Sequence, residues 1–375
     1  MMEAPTEYGP LVRKLMAQAA QVRQPVNGSF ELTTRCNLSC RMCYIRHPAT
    51  DMRAHRKELS AVQWLEIARQ AKDSGMVFLL LTGGEVFLRN DFFEILEPLT
   101  RMGFVLSLFT NGTLITEEIA DRLAQAPPSR TEITLYGATA TTYEAITGVP
   151  GSFAACLNAI EALVSRRVPL GLKTTISRQN VHELEEMRKM AHDWGLPFPG
   201  SWLLHKRPDG QASDVEDCRL STVDCVALEA SDRASAIENA EAAQRESSPE
   251  NDGNFYCAAG RAVFAVNPVG EMNACLDLPH PAVSPLEIGF QAAWKQVGRF
   301  VDSVPPLSQE CRSCDKRVFC GRCPAWSLLE TGTYNKPVPY WCEIALARKK
   351  LYSKQLQSYR PTTSRLTGEA GVRQD

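Results

Sequence analysis

The sequence predicts an α/β protein: a partial (β/α)6 barrel followed by a small cysteine-rich domain. Three observations carry this. Six short apolar runs alternate with helical stretches between residues 29 and 204. A polar, turn-rich stretch then interrupts the alternation. Beyond it, seven cysteines return among glycine, proline and aromatic residues over 255–352. Strands alternating with helices imply βαβ units and a parallel sheet, whose chemistry sits at the carboxyl ends of the strands.

Residues 1–28 form an extension in which PLVRKLMAQAAQVR, 10–23, reads as a short amphipathic helix. The barrel spans 29–204. Its strands are SFELT (29–33), MVFLLLT (76–82), FVLSLFT (104–110), EITLY (132–136), LGLKTTI (170–176) and GSWLL (200–204). The intervening helices start with ELSAVQWLEIARQAKDS, 58–74, and end with VHELEEMRKMAHDW, 181–194. Residues 205–254 read as a linker with one exposed helix. In 255–352 the small core is expected to be held by metal rather than by burial alone. The tail, 353–375, has a disordered composition.

Hydrophobic residues at 44% and charged residues at 22%, with a formal charge of −2, argue against a nucleic-acid or anionic-membrane partner. No apolar run reaches the length of a membrane span. The start has no signal-peptide pattern, so a reducing cytoplasm is expected. There, thirteen cysteines point to metal rather than disulfides. Cys156, Cys218 and Cys225 stand apart from the clusters and read as small hydrophobes or incidental thiols.

The first cluster is TTRCNLSCRMCYIRHP, with Cys36, Cys40 and Cys43 spaced C-x3-C-x2-C behind the first strand. Three thiolates hold three irons of a cubane and leave the fourth open to an exogenous ligand. Glycines in LTGGEVFL, 81–88, allow close approach to the backbone at a strand end. FTNGTLI, 109–115, and ITLYG, 133–137, end the next two strands. These motifs, in this order, resemble the radical S-adenosylmethionine (SAM) superfamily. The resemblance implies reductive cleavage of SAM to methionine and a 5′-deoxyadenosyl radical. It implies Cys36, Cys40 and Cys43 as cluster ligands. It also implies Gly83, Gly84, Glu85, Asn111, Thr134 and Lys173 as SAM contacts. Met42 and Tyr136 depart from the family pattern, which has an aromatic residue and an aspartate there. Alone, the three cysteines are also compatible with zinc.

The seven later cysteines resemble the SPASM extension of that superfamily, which carries two auxiliary iron–sulfur clusters. The resemblance assigns Cys257, Cys275 and Cys323 to the first. It assigns Cys311, Cys314, Cys320 and Cys342 to the second. No cysteine lies a few residues upstream of Cys257, so the first auxiliary cluster is expected to have an open iron or a non-cysteine ligand such as Asp252, with Cys218 and Cys225 as further donors. Three clusters and SAM are thus the expected cofactors. The expected substrate is a ribosomally made precursor peptide, modified by crosslinking, epimerisation or backbone excision. Expected partners are a separate PqqD-like leader-binding protein and an electron donor of the flavodoxin or ferredoxin kind. The alternatives are a small-molecule substrate such as a tetrapyrrole, and a non-catalytic zinc scaffold. No catalytic acid or base stands out; His47, near Cys43, reads as a loop histidine.

Overall fold

The computed structural model describes residues 8–232 and 257–358, with Ala236, Asn239 and Phe255 between them. Six parallel strands follow the expected runs: β1 (Asn27–Glu31), β2 (Phe78–Thr82), β3 (Val105–Thr110), β4 (Arg130–Thr134), β5 (Leu170–Thr175) and β6 (Gly200–Ser201). Two strands from the cysteine-rich region, β7 (Val263–Val266) and β8 (Met272–Asn273), complete one sheet in the order β8-β7-β1-β2-β3-β4-β5-β6. Only β8 runs antiparallel to its neighbour.

Helices Ala61–Asp73, Phe92–Arg101, Glu117–Gln125, Ser152–Ser165 and Leu184–Asp193 cross over between successive strands. Their starts are written locally. Ser60 and Gln63 form a reciprocal capping box, and Thr116 accepts from the Ile119 N–H. Phe30, Leu79, Leu81, Leu106, Leu108, Ile133 and Leu172 are buried on the strands, and Trp64 packs on Phe30 at 4.9 Å between ring centroids.

The described part of 255–352 joins the barrel's own sheet. β7 pairs in parallel with β1, from Asn27↔Val263 to Phe30↔Val266. Phe264 and Val266 are fully buried in the barrel core, where Phe264 meets Phe290 at 5.1 Å. The physical reason is the otherwise open edge of β1: an apolar VFAV strand covers it. The turn Asn267–Gly270 closes the hairpin through the Gly270 N–H to the Asn267 carbonyl, 2.9 Å, with Gly270 at φ +88°.

The described part of the linker is also packed. Helix Thr222–Ser231 buries Cys225 and Val226, and Glu229 pairs with Arg348 at 2.8 Å. Arg219 donates to the Leu204 carbonyl and pairs with Glu330. Beyond Asp232, most of the expected exposed helix lies outside the described residues. The N-terminal helix is Tyr8–Val22. The last helix, Pro339–Ser358, runs six residues into the expected tail, and 359–375 lie outside the described residues. Among the described residues, no single helix is long and apolar enough to cross a membrane.

Candidate functional site

The loop behind β1 is pinned by buried charge. Arg35 pairs bidentately with Glu58, Nε to Oε1 at 2.8 Å and Nη2 to Oε2 at 3.0 Å, with both side chains under 8% exposed. Arg89 donates to the Leu32 and Leu59 carbonyls at 3.0 and 2.8 Å. The Gly83–Gly84 turn after β2 is stitched to the same loop. The Gly84 N–H reaches the Thr33 carbonyl at 2.7 Å, and the Glu85 N–H reaches the Arg35 carbonyl at 2.8 Å. A Cβ on Gly83 would stand 2.4 Å from the Thr33 oxygen; one on Gly84 would stand 2.2 Å from the Arg35 oxygen. The close approach that the glycines permit is therefore that of the cysteine loop's own backbone.

Cys36, Cys40 and Cys43 line one cavity of about 370 Å³ at the carboxyl ends of the strands. Gly83, Gly84, Asn111, Thr134 and Lys173 line it too. Glu85 does not. It is 1% exposed, and its oxygens accept from the Thr110 hydroxyl at 2.8 and 2.9 Å and from the Asn111 N–H at 2.8 Å. These bonds brace the end of β3. Burial pushes its carboxyl up, and these donors pull back.

Burial pushes the Cys36 thiol up to about 12 and raises Cys40 and Cys43 as well. The charges of Cys36 and Cys43 add to the rise at Cys40. Buried around one cavity, the three would ionise only with a compensating positive centre, which an iron cluster would supply. Asn111 Nδ2 lies 3.6 Å from Cys36 Sγ. Tyr136 hydrogen-bonds Cys40, and Met42 lines the wall. Lys173 Nζ sits 3.5 Å from Glu132 Oε2 and 2.8 Å from the Phe109 ring centroid. Burial lowers its pKa to about 8 against the pull of Glu132.

The later cysteines fall into two groups. The sulfur of Cys323, at the start of helix Pro324–Thr331, receives the Ala325 and Trp326 N–H groups. Burial pushes its thiol up to about 11 and raises Cys275 further, and the charge of Cys257 adds to both. Cys311, Cys314, Cys320 and Cys342 line a second, small cavity of about 40 Å³. Cys225 bonds the Tyr340 hydroxyl at 3.2 Å, and Cys218 packs with Leu38 and Cys40. Cys156 is fully buried beside Tyr143. Asp252 lies outside the described residues.

Four polar residues at the cavity wall were not singled out from sequence. His205 Nε2 lies 3.2 Å from Asp277 Oδ1, and the Trp326 Nε1–H donates to Asp277 Oδ2 at 2.9 Å. Burial alone would lower His205, but Asp277, the Lys206 carbonyl and Glu330 together raise the imidazole. The Tyr44 hydroxyl donates to Glu31 Oε1 at 2.7 Å. Burial lifts Glu31 to about 7, against the Tyr44 hydrogen bond and with the Asp277 charge. Glu31 faces a second cavity of about 500 Å³, which meets the first at Tyr44, Ile45 and Leu276. His47 lines this second cavity and bonds Asp51 at 3.0 Å. Position at a strand end was the available signal: Glu31 closes β1, and His205 follows β6.

The Radical SAM superfamily model matches residues 30–191. The chain is 29% identical over 344 residues to the mycofactocin maturase MftC of Mycobacterium tuberculosis, covering 87% of this chain and 86% of the relative. It is 28% identical over 333 residues to the AdoMet-dependent heme synthase of Methanosarcina barkeri, covering 83% and 95%. Its fold is similar to that of Streptococcus suis SuiB bound to S-adenosylmethionine, with TM-score 0.66 and 17% identity over 91% of this chain and 83% of that one. SuiB has also been solved bound to precursor peptide SuiA, with TM-score 0.66, 16% identity and coverage of 90% and 82%.

Proposed function

Because the chain belongs to the radical SAM superfamily, we propose that it is a radical SAM enzyme that modifies a ribosomally synthesised precursor peptide. The observation that carries this is one cavity lined by Cys36, Cys40, Cys43, Gly83, Gly84, Asn111, Thr134 and Lys173 at the strand ends. Bound there, a [4Fe–4S] cluster and SAM supply a 5′-deoxyadenosyl radical that removes a hydrogen atom from the substrate.

The chain's residues do the rest. Cys36, Cys40 and Cys43 would hold three irons. The backbone of Gly83 and Gly84, with Asn111 and Thr134, would position SAM, and Lys173 would meet its carboxylate. Met42, Phe109 and Tyr136 enclose the cavity and limit water. Cys257, Cys275 and Cys323 would hold one auxiliary cluster, and Cys311, Cys314, Cys320 and Cys342 another. MftC, a maturase by name, supports the peptide reading across most of both chains. A PqqD-like leader-binding protein and a flavodoxin- or ferredoxin-type donor complete it. A second reading, a tetrapyrrole substrate, draws on the heme synthase relative, which matches over nearly its full length.

The test is anaerobic reconstitution with iron and sulfide, then dithionite and SAM, with 5′-deoxyadenosine quantified. Formation that vanishes in Cys36→Ala/Cys40→Ala/Cys43→Ala is the expected result. Protein that binds zinc in place of iron, with no 5′-deoxyadenosine, would favour the scaffold alternative.

A further inference from the structure

The first cavity is the one that a cluster and SAM would fill, so a substrate has to stand in adjoining space. The second cavity, of about 500 Å³, meets the first at Tyr44, Ile45 and Leu276. That volume is in the range of small-ligand pockets. The other carboxylates on its wall are spent on the protein. Asp51 holds His47 and two backbone N–H groups, Asp209 holds Arg207, and Glu271 takes the Asn267 side-chain amide at 2.8 Å. Two buried side chains keep an arm open. Glu31 is 6% exposed; Tyr44 donates to its Oε1 at 2.7 Å, and among the described residues no donor reaches Oε2. Asn273 is 7% exposed; its Oδ1 accepts from the Ala282 N–H at 2.9 Å, which leaves the Nδ2 donor without an acceptor among the described residues.

Strand register puts both on one face. Ala265 of β7 pairs with Ser29 of β1 and with Asn273 of β8. Paired residues point to the same side of a sheet, and Glu31, two residues beyond Ser29, shares that side. An open acceptor and an open donor, on one face and beside one cavity, match the N–H and C=O of an amide.

We propose that the second cavity is the substrate site, and that Glu31 and Asn273 recognise a peptide amide there, accepting from its N–H and donating to its carbonyl. This assignment rests on the peptide reading and locates its substrate. A buried polar group left unpaired is costly, so such a pair rejects a ligand that lacks the N–H. A carboxylate brought beside Glu31 would meet like charge instead.

The test is equilibrium binding to iron-reconstituted, SAM-bound protein at pH 8, where Glu31, titrating near 7, is ionised. The probes are N-acetylglycine N′-methylamide and methyl acetoxyacetate, in which oxygen replaces both N–H groups, read by saturation-transfer NMR. The parent should prefer the amide by about tenfold. Glu31→Leu should abolish the preference. Asn273→Leu should weaken both probes by similar factors and keep the preference. Comparing two probes on one protein holds any loss of folded material constant. No amide preference in the parent, a preference that survives Glu31→Leu, or parent-like affinities in Asn273→Leu overturns the proposal. Glutarate, offering the carboxylates that a tetrapyrrole side chain would bring, should not displace the amide; displacement overturns the proposal in favour of the tetrapyrrole reading. Binding needs no turnover, so a failure here and a failure to form 5′-deoxyadenosine are separate results.

Discussion

Replacing Gly84 by alanine should loosen the cysteine loop without touching a cysteine. A Cβ there would stand 2.2 Å from the Arg35 carbonyl oxygen, 2.7 Å from its carbon and 2.8 Å from the Thr34 oxygen. All three are backbone atoms, so no side chain can rotate away. The loop must shift, at an overpacking cost of about 1–3 kcal/mol. The shift also stretches the Gly84-to-Thr33 and Glu85-to-Arg35 hydrogen bonds, each contributing about 1 kcal/mol. A total of about 3–5 kcal/mol lowers the melting temperature of the metal-free protein by roughly 4–6 °C, because a chain of 375 residues has an unfolding entropy of about 0.8 kcal/mol/K. Iron loading at the first site should fall with it, because the sulfurs no longer share one cavity. The assay is an anaerobic thermal melt under reducing conditions, paired with iron quantification. A melt within about 1 °C of the parent, with full iron, would refute the claim that the glycines serve the loop's backbone.

Glu31 gives a pH signature. Its carboxyl titrates near 7 in the fold, against 4.5 unfolded, so the folded state binds more protons between those values and stability falls as pH rises through them, by about 3 kcal/mol in all. Urea unfolding from pH 4.5 to 8 should show this loss in the parent and a flatter profile in Glu31→Gln; identical profiles would contradict it. Lys173→Met leaves Glu132 paired with Arg130 at 2.7 Å, and should weaken SAM binding roughly tenfold by calorimetry on the iron-loaded protein; unchanged affinity would remove Lys173 from the SAM contacts. Arg219→Ala removes one of the two cations at the buried Glu330, leaving Lys206 at 3.7 Å, and should cost about 1.5–3 kcal/mol, seen as faster proteolysis within 205–232; an unchanged cleavage rate would mean that this segment is not held by the pair.

The barrel was legible because its strands are continuous apolar runs and its helices carry their own caps, as at Ser60 and Thr116. Cysteine spacing in the loop behind β1 likewise foretold that Cys36, Cys40 and Cys43 line one cavity, because a short loop brings neighbours in sequence to one side. Pairing of β7 with β1 was not legible. VFAV looks the same whether it closes a hairpin of its own or covers an open sheet edge, and only the barrel's unfilled side decides. The protein partners of Glu85 were not legible either, because the Thr110 hydroxyl and the Asn111 N–H that donate to it lie 25 and 26 residues away. His205 and Asp277 are 72 positions apart and carry no shared motif.

The β7–β1 pairing also fixes two cysteine sets more than 200 residues apart in sequence relative to one another. Backbone hydrogen bonds fix Val263–Val266 against Asn27–Phe30. The cysteine loop leaves β1 at its carboxyl end, and β8 returns antiparallel to β7 two residues before Cys275. Sheet register therefore sets the spacing between the first site and Asp277, with no reliance on how a linker happens to lie. A separately docked cysteine domain would let that spacing drift with every domain motion. A shared sheet holds it to the tolerance of a β-ladder, the precision that positioned functional groups need.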